Sequence, residues 1–242
     1  MRPLRIAISQ RRLPAQAKLA ERDALDVDWL VWIDHRWPEA ALFPLPNLAQ
    51  REKIERWMQW LNPDLLILSG GNDLGESPQR DQSERFALNW AAQAGLPLLG
   101  VCRGMQLLHH CAGGHLERLP GHVGLSHHLR TVAPDLTRIF HTSSPEAADT
   151  PTPIPPRAST RRLDRLATMA DACCGLTTNS WHHWAIKRCV SPWQAIAWAE
   201  DGSIESMRHH TLPWLGVMWH PERPNGAEDW VCDQLSCLAS NR

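Results

Sequence analysis

Leu99-Gly100-Val101-Cys102-Arg103-Gly104-Met105-Gln106 joins two patterns that meet at a cysteine. Upstream, the apolar run Leu96-Pro97-Leu98-Leu99-Gly100-Val101 predicts a buried strand; downstream, Gly104 to His110 carries a helical pattern. Cys102 occupies the junction, with Gly100 and Gly104 on either side, as a sharp and strained strand-to-helix turn requires. A thiol placed there stands clear of the backbone at the positive end of a helix dipole, which favours the nucleophilic thiolate. Alone, the octapeptide equally suits a buried cysteine in a plain turn, so its meaning depends on what surrounds it.

On its N-terminal side, residues 48–61 place Leu48, Ile54, Trp57, Met58 and Leu61 on a helical period that Asn62-Pro63 ends. Asp64 to Leu68 reads as the next buried strand, and Ser69-Gly70-Gly71-Asn72-Asp73 as a glycine-rich turn at its carboxyl end. Ser83 to Ala94 is predicted helical, while Arg5–Ile8 and Asp28–Ile33 read as two further strands. On the C-terminal side, Leu215 to Trp219 is strand-like and leads into His220-Pro221-Glu222; Ala227 to Leu238 has Trp230, Val231, Leu235 and Leu238 at helical spacing. Strands alternating with helices predict an α/β fold with a mainly parallel, doubly wound sheet. Such sheets build sites at the carboxyl ends of strands, where Gly70-Gly71 and Cys102 both fall.

With 242 residues, 43% of them hydrophobic, the chain is expected to form one domain with a sizeable core. A formal net charge of -1 offers no basic field for nucleic acid and no cationic face for anionic membrane. No apolar run approaches the roughly 20 residues of a membrane span, and the opening Met1–Ser9 suits a first core strand better than a signal peptide. Seven cysteines without framework spacing imply free thiols and a cytoplasmic setting; Cys111 reads as core and the Cys173-Cys174 pair as buried or half-buried. The thirteen tryptophans read as core filling. Residues 143–160 hold five prolines and are expected to form an exposed loop inserted within the domain.

A thiol nucleophile needs a base to move its proton and a group to orient that base. His220 and Glu222, two residues apart on an extended segment, point the same way and can supply both. The backbone N–H groups of Arg103 and Gly71 are candidate donors to an oxyanion. Gln106, one helical turn after Cys102, shares its face and can hold a polar substrate beside the thiol.

Five segments in this order, Leu68–Asp73, Gly100–Gln106, Asn179–Ile186, Asp201–Glu205 and Gly216–Glu222, resemble the class I glutamine amidotransferase superfamily and, within it, the γ-glutamyl hydrolase branch, peptidase family C26. The resemblance implies a flavodoxin-like three-layer sandwich, a Cys102–His220–Glu222 triad, an oxyanion hole of Gly71 and Arg103, and a small-molecule γ-glutamyl substrate cleaved without cofactor or metal. It further implies substrate contacts from Gly70, Asn72, Gln106, Ser126, His127 and His183. Where the family has His-His-Gln, this chain has His182-His183-Trp184, a departure within the substrate loop. Ile8–Arg11, Glu21–Asp26 and Trp29 resemble a narrower group, glutaminase-like proteins of surface-polysaccharide gene clusters, one type of which hydrolyses γ-glutamyl-CDP-amidate. The alternatives are a glutaminase subunit supplying ammonia to a separate synthase, and a non-catalytic binding relative. The paired histidines 109–110, 127–128, 182–183 and 209–210 lack the spacing of a tetrahedral metal site, because adjacent residues rarely ligate one ion together.

Overall fold

The computed structural model describes residues 2–16, 19–131 and 175–239; the Pro-rich stretch 143–160 and Cys173-Cys174 lie outside them. In chain order the first half comprises β1 (Arg5–Ser9), β2 (Arg11–Leu13), β3 (Arg22–Ala24), α1 (Val27–Arg36), β4 (Ala41–Leu45), α2 (Arg51–Leu61), β5 (Leu65–Leu68), α3 (Pro78–Ala94), β6 (Leu98–Val101) and α4 (Arg103–Cys111). Then come β7 (Glu117–Arg118), β8 (Val123–Thr131), β9 (Leu176–Trp181), β10 (Trp184–Ala185), β11 (Trp193–Trp198), β12 (Ile204–His209), β13 (Trp214–Val217) and α5 (Glu228–Ala239).

One nine-stranded sheet, ordered β4-β1-β5-β6-β13-β12-β11-β8-β9, organises the chain. The strands from β4 to β13 are parallel, and β12, β11, β8 and β9 extend the sheet antiparallel. The parallel strands follow the flavodoxin-like order, in which the direction of winding reverses between β1 and β5 and opens a crevice at their carboxyl ends. Alternate residues of each strand face opposite layers: Leu66 and Leu68 pack with α2, α3 and α4, while Leu65 and Ile67 pack with α1 and α5. Burial on both faces explains why these strands read as unbroken apolar runs.

The structure corrects several expectations. Residues 28–33 are helical, within α1, rather than a strand: Asp26 caps the helix by accepting from the Asp28 N–H, and Trp29, Trp32 and Ile33 are buried while Leu30 and Val31 are exposed. That burial has the helical period, which the β-forming residue types concealed. The strand expected there is β4, where Pro44 is tolerated because β4 is a sheet edge. Helix α3 begins at Pro78, not Ser83, with Ser77 as its cap and Pro in the first turn. Cys111 is exposed at the end of α4, its sulfur 3.3 Å from an Arg85 guanidinium nitrogen, rather than in the core. Among the described residues no helix is long and apolar enough to cross a membrane.

Candidate active site

Cys102 lies where β6 passes into α4, with φ 51° and ψ −107°, a conformation an L-residue adopts only under constraint. The constraint is visible. Its N–H donates to the Val217 carbonyl (2.8 Å), its carbonyl accepts from the Gln106 N–H (3.1 Å), and α4 sits so close to the sheet that a Cβ at Gly104 would lie 2.0 Å from the Leu68 carbonyl oxygen. Since β6 and β13 are adjacent and parallel, with Val101 opposite Val217, the two strands release Cys102 and His220 side by side.

Two residues hold His220. Asn179 accepts from its backbone N–H (2.9 Å) and donates to its carbonyl (2.8 Å), while its Nδ1 pairs with Glu222 Oε1 at 2.6 Å. The remaining ring nitrogen is left for the Cys102 thiol, with which His220 is hydrogen-bonded. Burial opposes charge on both groups, yet each favours it in the other. The Cys102 thiol is pulled below its ordinary value by the His220 hydrogen bond and charge, and His220, held by Cys102 and Glu222, is raised to about 10. Each group thus favours the charged form of the other, the thiolate of Cys102 and the imidazolium of His220.

The Gly70-Gly71 turn presses on this pair. A Cβ on Gly70 would come within 2.7 Å of His220 Cε1, so only glycine fits; Gly71 has φ +107° and faces Arg11 and Arg80. Arg80, fully buried, donates to the carbonyls of Ser69 (2.8 Å) and Gly70 (2.9 Å) and pairs with Glu84 (2.9 Å). The C=O and N–H of a trans peptide point oppositely, so fixing the Gly70 carbonyl on Arg80 turns the Gly71 N–H away from that arginine. The buried Arg103 side chain completes this network through Glu84 and Asp81, leaving only its backbone N–H beside the thiol. Burial depresses Arg80 to about 10, still charged at neutral pH.

The turn, the elbow and the His220–Glu222 pair line a cleft of about 380 Å³. Gly70, Gly71, Asn72, Gln106 and His183 join Cys102, His220 and Glu222 there. The Asn72 side chain, however, is occupied: its Oδ1 accepts from the Arg12 N–H (2.8 Å) and its Nδ2 donates to the Arg12 carbonyl (3.0 Å), tying β2 to the turn. Gln106 donates to the Trp184 carbonyl at 3.2 Å. Ser126 and His127, expected beside the substrate, instead line a separate cavity of about 190 Å³ next to β8. Their strand, β8, pairs with β9 on the antiparallel side of the sheet. Arg80, Glu84 and Asn179 are the residues sequence reasoning missed as site builders; the i, i+4 spacing of Arg80 and Glu84 was their only signal, and it equally describes a solvated helix face.

Comparison with known proteins gives these geometries a context. The family model of Peptidase C26 matches residues 39–222. A glutamine amidotransferase-like protein of Lactococcus lactis is 30% identical over 173 residues, 66% of either chain. The gamma-glutamyl-CDP-amidate hydrolase of Campylobacter jejuni is 26% identical over 167 residues, covering 66% of this chain and 63% of its own length. The chain thus spans about two thirds of these curated relatives. A solved structure from Thermoplasma acidophilum, assigned to a GMP synthase, superposes with TM-score 0.64 at 14% identity, over 99% of this chain and 96% of that one. That likeness concerns the fold.

Proposed function

The chain belongs to the peptidase C26 family of glutamine amidotransferase-like proteins, and on that footing we propose that it hydrolyses a γ-glutamyl amide bond with Cys102 as nucleophile. The observation that carries this reading is the buried Cys102–His220–Glu222 arrangement lining a cleft. Cys102 thiolate attacks the γ-carbonyl carbon, and the carbonyl oxygen becomes an oxyanion facing the N–H groups of Gly71 and Arg103. The His220 imidazolium gives its proton to the departing amine, the C–N bond breaks, and a γ-glutamyl thioester remains. Neutral His220 then takes a proton from water, whose oxygen attacks the thioester and releases glutamate and the thiolate. Glu222 keeps the ring oriented and offsets its charge. Arg80 is a positioning residue: it holds the turn from which the Gly71 N–H projects.

The leaving group is proposed to be anionic, in keeping with a γ-glutamyl phosphoramidate such as γ-glutamyl-CDP-amidate. Arg11 supports this, because it stands over Gly71 in the cleft and makes no ion pair among the described residues. Substrate contacts from Gln106 and His183 belong to the same proposal; no cofactor enters the chemistry.

Glutamate release by the purified protein tests the reading, on glutamine, γ-glutamyl-γ-aminobutyrate, γ-glutamyl peptides and a γ-glutamyl nucleotide phosphoramidate. Fast turnover of the phosphoramidate, with glutamine nearly untouched and activity abolished by Cys102→Ala, is the expected result. Silence on every conjugate, with slow glutamine hydrolysis, would instead assign the chain as a glutaminase that feeds ammonia to a synthase partner. Turnover that survives Cys102→Ala would overturn the mechanism.

A further inference from the structure

Beside the cleft, His122 just before β8, His127 within it, His182 in the β9–β10 turn and Glu205 on β12 converge until one potential ligand atom from each lies within 4.8 Å of the others. Four buried polar atoms of this cluster have no hydrogen-bond partner: His122 Nδ1, His127 Nε2, His182 Nε2 and Glu205 Oε2. Leaving such atoms unpaired costs roughly 1–3 kcal/mol each, so a group of four calls for an occupant. We propose that these side chains bind one divalent transition-metal ion, with three imidazole nitrogens and a carboxylate oxygen, the donor set zinc prefers.

The surroundings fit that role. His122 directs its other nitrogen, Nε2, to Asp201 Oδ2 at 3.2 Å, and His182 directs Nδ1 to the Trp184 carbonyl at 3.0 Å. Each hydrogen bond fixes the tautomer that leaves the inward nitrogen with a free lone pair, the outer-shell pattern of metal-ligating histidines. The Ser203 hydroxyl in turn lies within hydrogen-bond distance of both the Asp201 (2.6 Å) and Glu205 (3.3 Å) carboxylates. His122, His182 and Glu205 are at most 5% exposed, and the cavity along β8 reaches His122 and His127 from outside, giving an ion a way in.

A proton shared by His182 and Glu205 is the competing occupant. Their closest approach is 3.6 Å, and such a proton would still leave His122 Nδ1 and His127 Nε2 unpartnered. In a tetrahedral zinc shell with bonds of about 2.0–2.2 Å, ligand atoms stand roughly 3.4 Å apart, so the widest pair closes by about 1.4 Å through side-chain adjustment. With four protein ligands the ion is a structural tie between β8, β12 and the β9–β10 turn that carries His183 into the cleft. The spacing argument against metal fails here because it weighed each histidine pair alone, whereas members of two pairs meet a lone histidine across strands.

The test is titration of zinc, and separately cobalt, into the metal-stripped full chain carrying Cys102→Ala, which removes the thiol as a rival ligand. One ion per chain is expected, with the intense visible bands of tetrahedral cobalt and no thiolate charge-transfer band. His127→Ala should weaken binding by more than about 100-fold, and Asp201→Asn, acting through His122, by about 10–100-fold. Absence of saturable zinc binding to the folded Cys102→Ala chain would overturn the proposal without any ligand variant. Binding unchanged by His127→Ala would overturn it equally.

Discussion

Two buried polar clusters flank Cys102, and they are satisfied to very different degrees. Under the elbow, Arg80 and Arg103 share Glu84, Arg103 also pairs with Asp81, and Arg80 donates to the carbonyls of the Ser69–Gly70 turn. Beyond the cleft, His122, His127, His182 and Glu205 crowd together with four atoms unpaired. The first cluster leaves one buried atom, Arg103 Nε, unpaired and fixes backbone; the second leaves four, converging from separate strands. Completeness, more than burial, separates a scaffold from a receptor.

The contrast is sharpest at Glu84. Glu84→Gln leaves two buried guanidinium groups undercompensated and is expected to destabilise the fold by about 3–5 kcal/mol, measured by denaturant unfolding. It should also change the acid limb of stability. Burial raises the Glu84 carboxyl, but Arg103 and Arg80 prevail and hold it below the ordinary carboxylate range. Its folded value being depressed, the stabilisation is fully present above the unfolded value of about 4.3 and is lost as pH falls through the lower folded value. Glu84→Gln should flatten that part of the pH dependence; an unchanged acid limb would show the cluster to be less tightly coupled than its geometry.

Smaller effects should follow at the turn the first cluster supports. Gly71→Ala places a Cβ 2.9 Å from Arg11 Cβ at φ +107°, so the N–H assigned to the oxyanion is displaced. A drop of about 100- to 1000-fold in kcat is expected, the usual consequence of losing one such donor. Arg80→Lys keeps the charge but not the fork that reaches both carbonyls, and a kcat about 100-fold lower with KM little changed is expected. A rise in KM alone would place Arg80 in substrate binding instead. The smallest effect belongs to the second cluster: in metal-stripped protein, His127→Ala should cost less than about 1 kcal/mol, since the half-buried ring has an unpaired Nε2 to lose. A loss as large as that at Glu84 would erase the distinction between the clusters.

What the sequence disclosed follows the same division. β5, β6 and β13 were legible because parallel strands buried on both faces are apolar throughout, and the elbow because Gly100 and Gly104 bracket Cys102. Local spacing also exposed His220 and Glu222, two residues apart on one strand exit. α1 was misread because Trp29, Val31, Trp32 and Ile33 favour strands by residue type, although their burial is helical. Arg80 and Glu84 were hidden because nothing in an i, i+4 pair tells whether its helix face meets water or a sheet. The histidine cluster was hidden more deeply, since residues 122, 127, 182 and 205 meet only through strand pairings made at long range.

The central claim, that Cys102 is held as a thiolate by His220, is tested most directly by the pH dependence of Cys102 alkylation by iodoacetamide, followed by peptide mapping. The account predicts that Cys102 reacts at a rate nearly independent of pH from well below the ordinary thiol value of about 8.5. His220→Ala, which removes the largest of the influences that offset burial, should shift the titration upward. A wild-type rate that climbs through pH 8.5 like a free thiol, and does not respond to His220→Ala, would contradict it.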